Sequence, residues 1–224
     1  MKKKYLLLIL CYTSIISQTR VASTSVKICN QIWAIKNLDV STYSDGTQIP
    51  QITSEEEWSG LTTGAWCYYN NDPENGEVYG KLYNWYAVAG IYDEASASNP
   101  ALRKKLAPKG WHIPTKDEWT TLIKCLGYNE AASKLKESGN KHWVCTEYTK
   151  KSTNGSGFSA IPGGFRDNNR YYHLGRTGYW WSSPDDKTEE NERAMSLKLD
   201  YYFPREEIYY AMKINGYSIR CVKD

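Results

Sequence analysis

Pro114-Thr-Lys-Asp-Glu-Trp119 is the stretch on which the fold reading turns. Thr115 and Glu118 stand at capping-box spacing, so each side chain can satisfy a backbone N–H at a helix start. Asp117 and Glu118 also complement the positive end of the helix dipole. Trp119, Leu122, Ile123 and Leu126 then recur on one helical face, and Gly127 is placed to stop the helix. Upstream, Leu82, Trp85, Tyr86 and Ala89 within residues 81–89 also share a helical face. A weaker helix is expected over Glu130–Glu137, directly downstream.

Outward from these helices the texture changes. Before them, residues 28–40 alternate loosely and read as an opening strand, and residues 65–69 as a short aromatic one. Residues 70–76 read as a loop. After Gly157, glycines punctuate short aromatic runs, and Asp167-Asn-Asn169 reads as a turn between Phe165 and Tyr171. Residues 194–199, 208–214 and 217–222 look like strands, with Ile208, Tyr210, Met212 and Ile214 on one face of the second. Asn215-Gly216 is a two-residue hairpin signal between the last two. The layout is α+β: two helices in the first half and a glycine- and aromatic-rich antiparallel sheet in the second. No linker or repeat divides residues 26–224, which read as a single domain.

Composition supports an ordered, aromatic-cored protein. The 224 residues carry a net charge of +3, but residues 1–25 hold Lys2, Lys3, Lys4 and Arg20 and no acid. The remainder has 24 basic and 25 acidic residues, which is not the footprint of a nucleic-acid binder. After residue 25, 29 aromatic residues equal the 29 Ile, Leu and Val, which excludes disorder and argues against an aliphatic-cored α/β enzyme.

The three lysines and the apolar run that follows, to Ser17, form a secretory signal peptide over residues 1–25, too short to span a bilayer. The expected location is therefore extracellular or at the cell surface. Cys11 is a candidate lipid-anchor cysteine, although Leu10 before it is bulky where such sites want a small residue. No later segment is apolar enough to cross a membrane. Cys29, Cys67, Cys125, Cys145 and Cys221 remain, an odd number in a disulfide-permissive compartment. Cys125 with Cys145 is one pairing; buried free thiols are the alternative.

The ordered blocks resemble a known family. They are Ile32-Trp33 to Val40, Leu61-Thr-Thr-Gly-Ala65, Cys67-Tyr-Tyr-Asn-Asn-Asp72, Tyr79 to Ala87, and Ala107-Pro-Lys-Gly-Trp-His-Ile-Pro114 with Glu118-Trp119. Gly157 to Gly164, Gly178-Tyr-Trp-Trp-Ser-Ser183 and Ser218 to Asp224 complete the series. Together, over residues 28–224, they resemble the Fibrobacter succinogenes major paralogous domain. That resemblance implies the formylglycine-generating-enzyme-like variant of the C-type-lectin-like fold. It implies no established activity, because fold does not give function.

Oxidases of that wider superfamily bind copper through two late cysteines. Here residues 146–220 contain no cysteine and Cys221 stands alone, so a divergent oxidase is disfavoured. His112, His142 and His173 are scattered, and His112 reads as a framework residue. Asp185-Asp186 and Glu189-Glu190 read as a solvated loop, with calcium ligation an alternative. The sequence therefore predicts no enzyme, no cofactor and no resident metal. A binding surface fits better: Arg166, Asn168, Asn169, Arg170, Tyr171, Tyr172 and His173, with Tyr201, Tyr202 and Arg205, combine large planar rings with adaptable polar groups. Trp180 and Trp181 read as framework. The expected activity is non-catalytic binding of an extracellular glycan or protein, on a face formed by residues 166–173 and 201–210 together. A retroelement-diversified ligand-display protein is the alternative that the fold resemblance offers.

Overall fold

The computed structural model describes residues 24–184 and 192–224. The expected leader up to residue 23, Cys11, and the pairs Asp185-Asp186 and Glu189-Glu190 lie outside the described residues. The strands are β1 (Ser25–Ile28), β2 (Gln31–Ala34), β3 (Trp66–Cys67), β4 (Leu82–Tyr83), β5 (Trp111–His112), β6 (Gly163–Arg166), β7 (Tyr171–Leu174), β8 (Thr177–Trp181), β9 (Arg193–Asp200), β10 (Glu206–Met212) and β11 (Val222–Lys223). The helices are α1 (Glu55–Ser59), α2 (Pro73–Tyr79), α3 (Trp85–Val88), α4 (Glu94–Ser98), α5 (Lys116–Leu126) and α6 (Ala131–Leu135). The fold is α+β, as the sequence predicts.

α5 forms for the local reasons read above. Thr115 Oγ1 accepts from Glu118 N, the Glu118 carboxylate accepts from Thr115 N, and Trp119, Leu122, Ile123 and Leu126 are buried. Its buried face meets the hairpin of β1 and β2, where the Trp119 and Trp33 rings lie 4.7 Å apart. The framework role expected of His112 is observed: its Nε2 lies 2.7 Å from Glu118 Oε1 and its Nδ1 2.8 Å from Asp224 Oδ1. One imidazole thus ties the start of α5 to residue 224.

A five-stranded sheet in the order β10-β9-β8-β6-β7 carries the second half. It is antiparallel except for β6 and β8, which meet in parallel at Gly164 and Gly178. Both faces of its middle are covered. Trp180, Leu197 and Leu199 pack with Trp33, Trp119 and Phe158 on one side; Tyr179, Trp181 and Ala194 pack with Tyr83, Trp85 and Tyr217 on the other. Alternation along β8 thereby sends the fully buried neighbours Trp180 and Trp181 into different cores. A four-stranded sheet, β1-β2-β11-β5, brings the last strand between two earlier ones.

Several local readings are corrected. The opening strand is two short strands, which turn at Cys29 with φ 52°. Residues 82–83 are strand, leaving only Trp85–Val88 helical. The loop expected over residues 70–76 contains the start of α2, with Asp72 as N-cap and Pro73 in the first turn. Asn215-Gly216 does not close a hairpin: Gly216 pairs with Arg166 and Tyr217 with Tyr83. A Cβ on Gly216 would lie 3.1–3.3 Å from Trp58, Arg166 and Leu82, so close packing, rather than a two-residue turn, uses this glycine. The strand expected over residues 208–214 starts earlier and ends at Met212, with Tyr210 and Met212 on one exposed side as expected and Ala211 buried on the other. Cys125 pairs with Cys29, their Cα atoms 6.7 Å apart, and Cys145 is free and exposed. The helix holds Cys125 against the β1–β2 turn, which excludes the pairing with Cys145.

Candidate functional site

The site is built on β7. Strand residues normally alternate between faces, yet the consecutive Tyr172 and His173 are both exposed and both contact Phe165. Their rings lie 5.4 and 5.6 Å from the Phe165 ring. The cause is His173, whose φ of 65° puts a non-glycine residue in the left-handed region. That conformation costs about 1–2 kcal/mol. Opposite it, Gly164 has φ 63°, and a Cβ there would lie 2.4 Å from the Tyr172 carbonyl oxygen. Close backbone approach from Gly164 and the turn at His173 together present two side chains where a regular strand would present one.

Behind this ledge lies an aromatic floor. Phe165 contacts Tyr179 at 5.0 Å, Tyr179 stacks on Tyr217 at 4.8 Å, and Tyr217 stacks on Trp181 at 4.4 Å. The Tyr209 and Tyr217 hydroxyls are 2.7 Å apart, and Asn215 Nδ2 donates to the Tyr217 hydroxyl. Burial raises the pKa of Tyr179, Tyr209 and Tyr217, so their hydroxyls stay neutral. His173 Nδ1 is 3.2 Å from the Tyr179 hydroxyl. Burial, with help from Lys198 and Arg176 and against Asp200, lowers the His173 pKa and favours the neutral ring.

The edge of the floor is charged. Lys198 lies between Tyr179 and Glu207 in register, with its Nζ 3.0 Å from Glu207 Oε2 and 3.7 Å from Asp200 Oδ2. Past Asp200 the chain turns through Tyr201, Tyr202 and Phe203 into β10. Tyr202 and Phe203 are 58% and 50% exposed, which leaves two rings open on the turn itself. Tyr201 N donates to Arg176 O, and the Arg176 guanidinium sits 5.9 Å from the Tyr201 ring. Arg205 is exposed on the same turn.

The predicted residues thus divide. Tyr172 and His173 sit together over Phe165, whereas Tyr201 packs against the Trp180–Leu197 core on the other face of the sheet and Tyr202 against Tyr148, so the single face expected of residues 166–173 and 201–210 does not form. Asn168, Asn169 and Arg170 are exposed, but on the β6–β7 turn at the opposite end of β7, where Asp167 Oδ1 accepts from Asn169 N and Arg170 N. Arg166 is not part of an exposed face: it is fully buried and donates to the carbonyls of Ile52, Thr53 and Ser54. Its guanidinium stacks 4.4 Å over Trp58. Tyr171 points with it, donating to Asn71 Oδ1 and packing against Tyr69. Both serve the framework on the far side of the strand, as alternation requires.

Reasoning from sequence missed Phe165, Arg176, Lys198 and Asp200. A signal for the last two exists: Ser196, Lys198 and Asp200 alternate with Leu197 and Leu199. Among the described residues no group of three or more His, Cys, Asp and Glu is placed to hold a metal. Cys67 and Cys221 are buried thiols, and burial raises both pKa values, that of Cys221 to about 12. No described helix is long and apolar enough to cross a membrane.

No curated protein and no solved structure matches the chain. One family model matches residues 26–223, nearly all that follows the expected leader. With these blocks in order along one α+β fold, the chain belongs to the Fibrobacter succinogenes major domain family.

Proposed function

We propose that the chain is a secreted or surface-held, C-type-lectin-like binding module that takes an extracellular glycan or protein on the Tyr172–His173 ledge, without catalysis. The observation that carries this reading is the left-handed His173, which puts two neighbouring side chains on one exposed aromatic patch. Backbone strain of this kind persists where the surroundings hold it, and functional sites are where it collects. Neutral rings beside the Lys198, Glu207 and Asp200 charges suit stacking on a planar or apolar ligand face with polar contacts at its margin. The packing of the capped α5 beside a glycine- and aromatic-rich sheet supports the fold part of the reading. The high thiol pKa values of Cys67 and Cys221 support the non-catalytic part, since a thiol is a poor nucleophile and metal ligand.

The test is a glycan array together with capture from cell-surface extracts, using the purified chain and its Tyr172→Ala/His173→Ala variant. One saturable ligand is expected, weakened roughly 30-fold in the variant, as for loss of an aromatic hot spot. Unchanged binding by a folded variant would refute the ledge, and absence of any ligand in both screens would refute the binding reading.

A further inference from the structure

A cavity of about 400 Å³ opens beside the β9–β10 turn, between α6 and residues 148–153. It shares no residue with the ledge. Lys134, Lys136 and Lys151 line it against a single acid, Glu130. Lys134 is already committed: its Nζ pairs with Glu130 Oε2 at 2.7 Å and donates to Leu126 O. The other two lysines are not matched by a carboxylate in the lining.

Lys136 is 2% exposed. Its ammonium donates to the carbonyls of Asp200 and Phe203 and lies 5.2 Å from the Trp143 ring. Two carbonyls leave one of three N–H donors over. Burial pushes its pKa down to about 8, against the opposing pull of Asp200 and of Glu206, whose own Oε2 is buried without a hydrogen-bond partner. Beside it, Ser152 is 8% exposed and its Oγ has no hydrogen-bond partner in the protein. A buried hydroxyl left unpaired is costly, so it calls for an explanation. Lys151, the preceding residue, is exposed at the same mouth.

We propose that this cavity binds a sugar-sized organic anion, its carboxylate, sulfate or phosphate group held by Lys136, Lys151 and Ser152. A free inorganic anion would leave most of the volume empty, and the cavity falls in the size range of small-molecule pockets. Tyr148 and Pro204 supply apolar wall, while Asn129 and Thr153 offer groups for ligand hydroxyls. The Tyr148 ring is braced by Tyr202 at 5.9 Å. An oxyanion would accept the spare Lys136 proton and the Ser152 hydroxyl together, relieving both deficits.

The test is titration of the purified chain with glucuronate, glucose 6-sulfate and glucose 6-phosphate, with glucose as neutral control. Tryptophan fluorescence, through Trp143, and calorimetry read the binding. At least one anion is expected to saturate while glucose does not, with competition from added salt. Lys151→Gln, an exposed substitution, and Ser152→Ala should each weaken that anion roughly tenfold, the loss of one charge-assisted contact, with unchanged melting temperature. The proposal is overturned if no anion saturates, if glucose binds equally, or if Lys151→Gln binds as tightly as the parent.

Discussion

Replacing Arg166 by lysine keeps a cation and removes a plane. In the folded chain Arg166 Nη1 donates to Ile52 O at 2.8 Å, and Nη2 to Ser54 O at 2.8 Å, while the guanidinium lies 4.4 Å over Trp58. A lysine ammonium is a point donor and cannot hold both carbonyls in that fork. Loss of one hydrogen bond from a charged donor is worth about 1.5–3 kcal/mol, and the part of the buried stacking lost when an ammonium replaces the guanidinium plane about 0.5–1 kcal/mol. The variant should therefore be destabilised by about 2–4 kcal/mol. For a chain of this size that is a fall in Tm of roughly 4–16 °C. The assay is urea denaturation followed by tryptophan fluorescence, with an unchanged slope showing that the denatured state is the same. Arg170→Lys is the comparator: Arg170 is exposed on the turn, so its midpoint should not move. An Arg166→Lys midpoint equal to that of the parent would refute the account of Arg166 as a clamp on residues 52–54. It would also reopen its place in a ligand surface.

Three more outcomes follow from the same structure. The Cys29–Cys125 bridge spans 96 residues, and the chain-entropy estimate for that loop is about 4.7 kcal/mol; Cys29→Ser/Cys125→Ser should lose a large part of it in denaturation, whereas Cys145→Ser should lose nothing measurable. For His112, burial lowers the pKa but is outweighed by the hydrogen bonds to Glu118 and Asp224, so the folded value stands above the ordinary 6.5. Its stabilisation is then full below pH 6.5 and lost as pH rises through the folded value; denaturation across that window should show the decline, and His112→Gln should flatten it. His173→Gly relieves the left-handed strain while losing a ring contact of about 0.5–1.5 kcal/mol, so stability should stay within about 1 kcal/mol of the parent; His173→Ala loses the contact and keeps the strain, and should fall below the glycine variant. A stabler alanine variant would refute the strain.

What the sequence disclosed was local. The α5 signal lies within residues 114–127, and each term of it, from cap to apolar face to stop, is satisfied by near neighbours. The turn at Asp167 was legible for the same reason. Arg166, in contrast, was read from its polar neighbours, while its true acceptors lie 112–114 residues away. Cys125 met Cys29 rather than the nearer Cys145 because helix packing, not separation in sequence, sets which sulfur is in reach. Asn215-Gly216 carried a valid hairpin signal, overridden by tertiary packing around Gly216. Within the candidate site, Tyr172 and His173 could be named as residue types, but their shared direction depends on Gly164 and Phe165 across the strand. No periodicity encodes that.

The position of β11 has a consequence for how the chain reaches its fold. β2 and β5 do not pair with each other; Val222 stands between them, in register with Trp33 on one side and His112 on the other. Until residues 222–223 arrive, these two strands face an open slot with unsatisfied backbone on both walls. The sheet is therefore assembled like an arch whose keystone comes last. A chain lacking residues 217–224 would keep the slot open, and a separate peptide of that sequence could enter it and complete the sheet in trans.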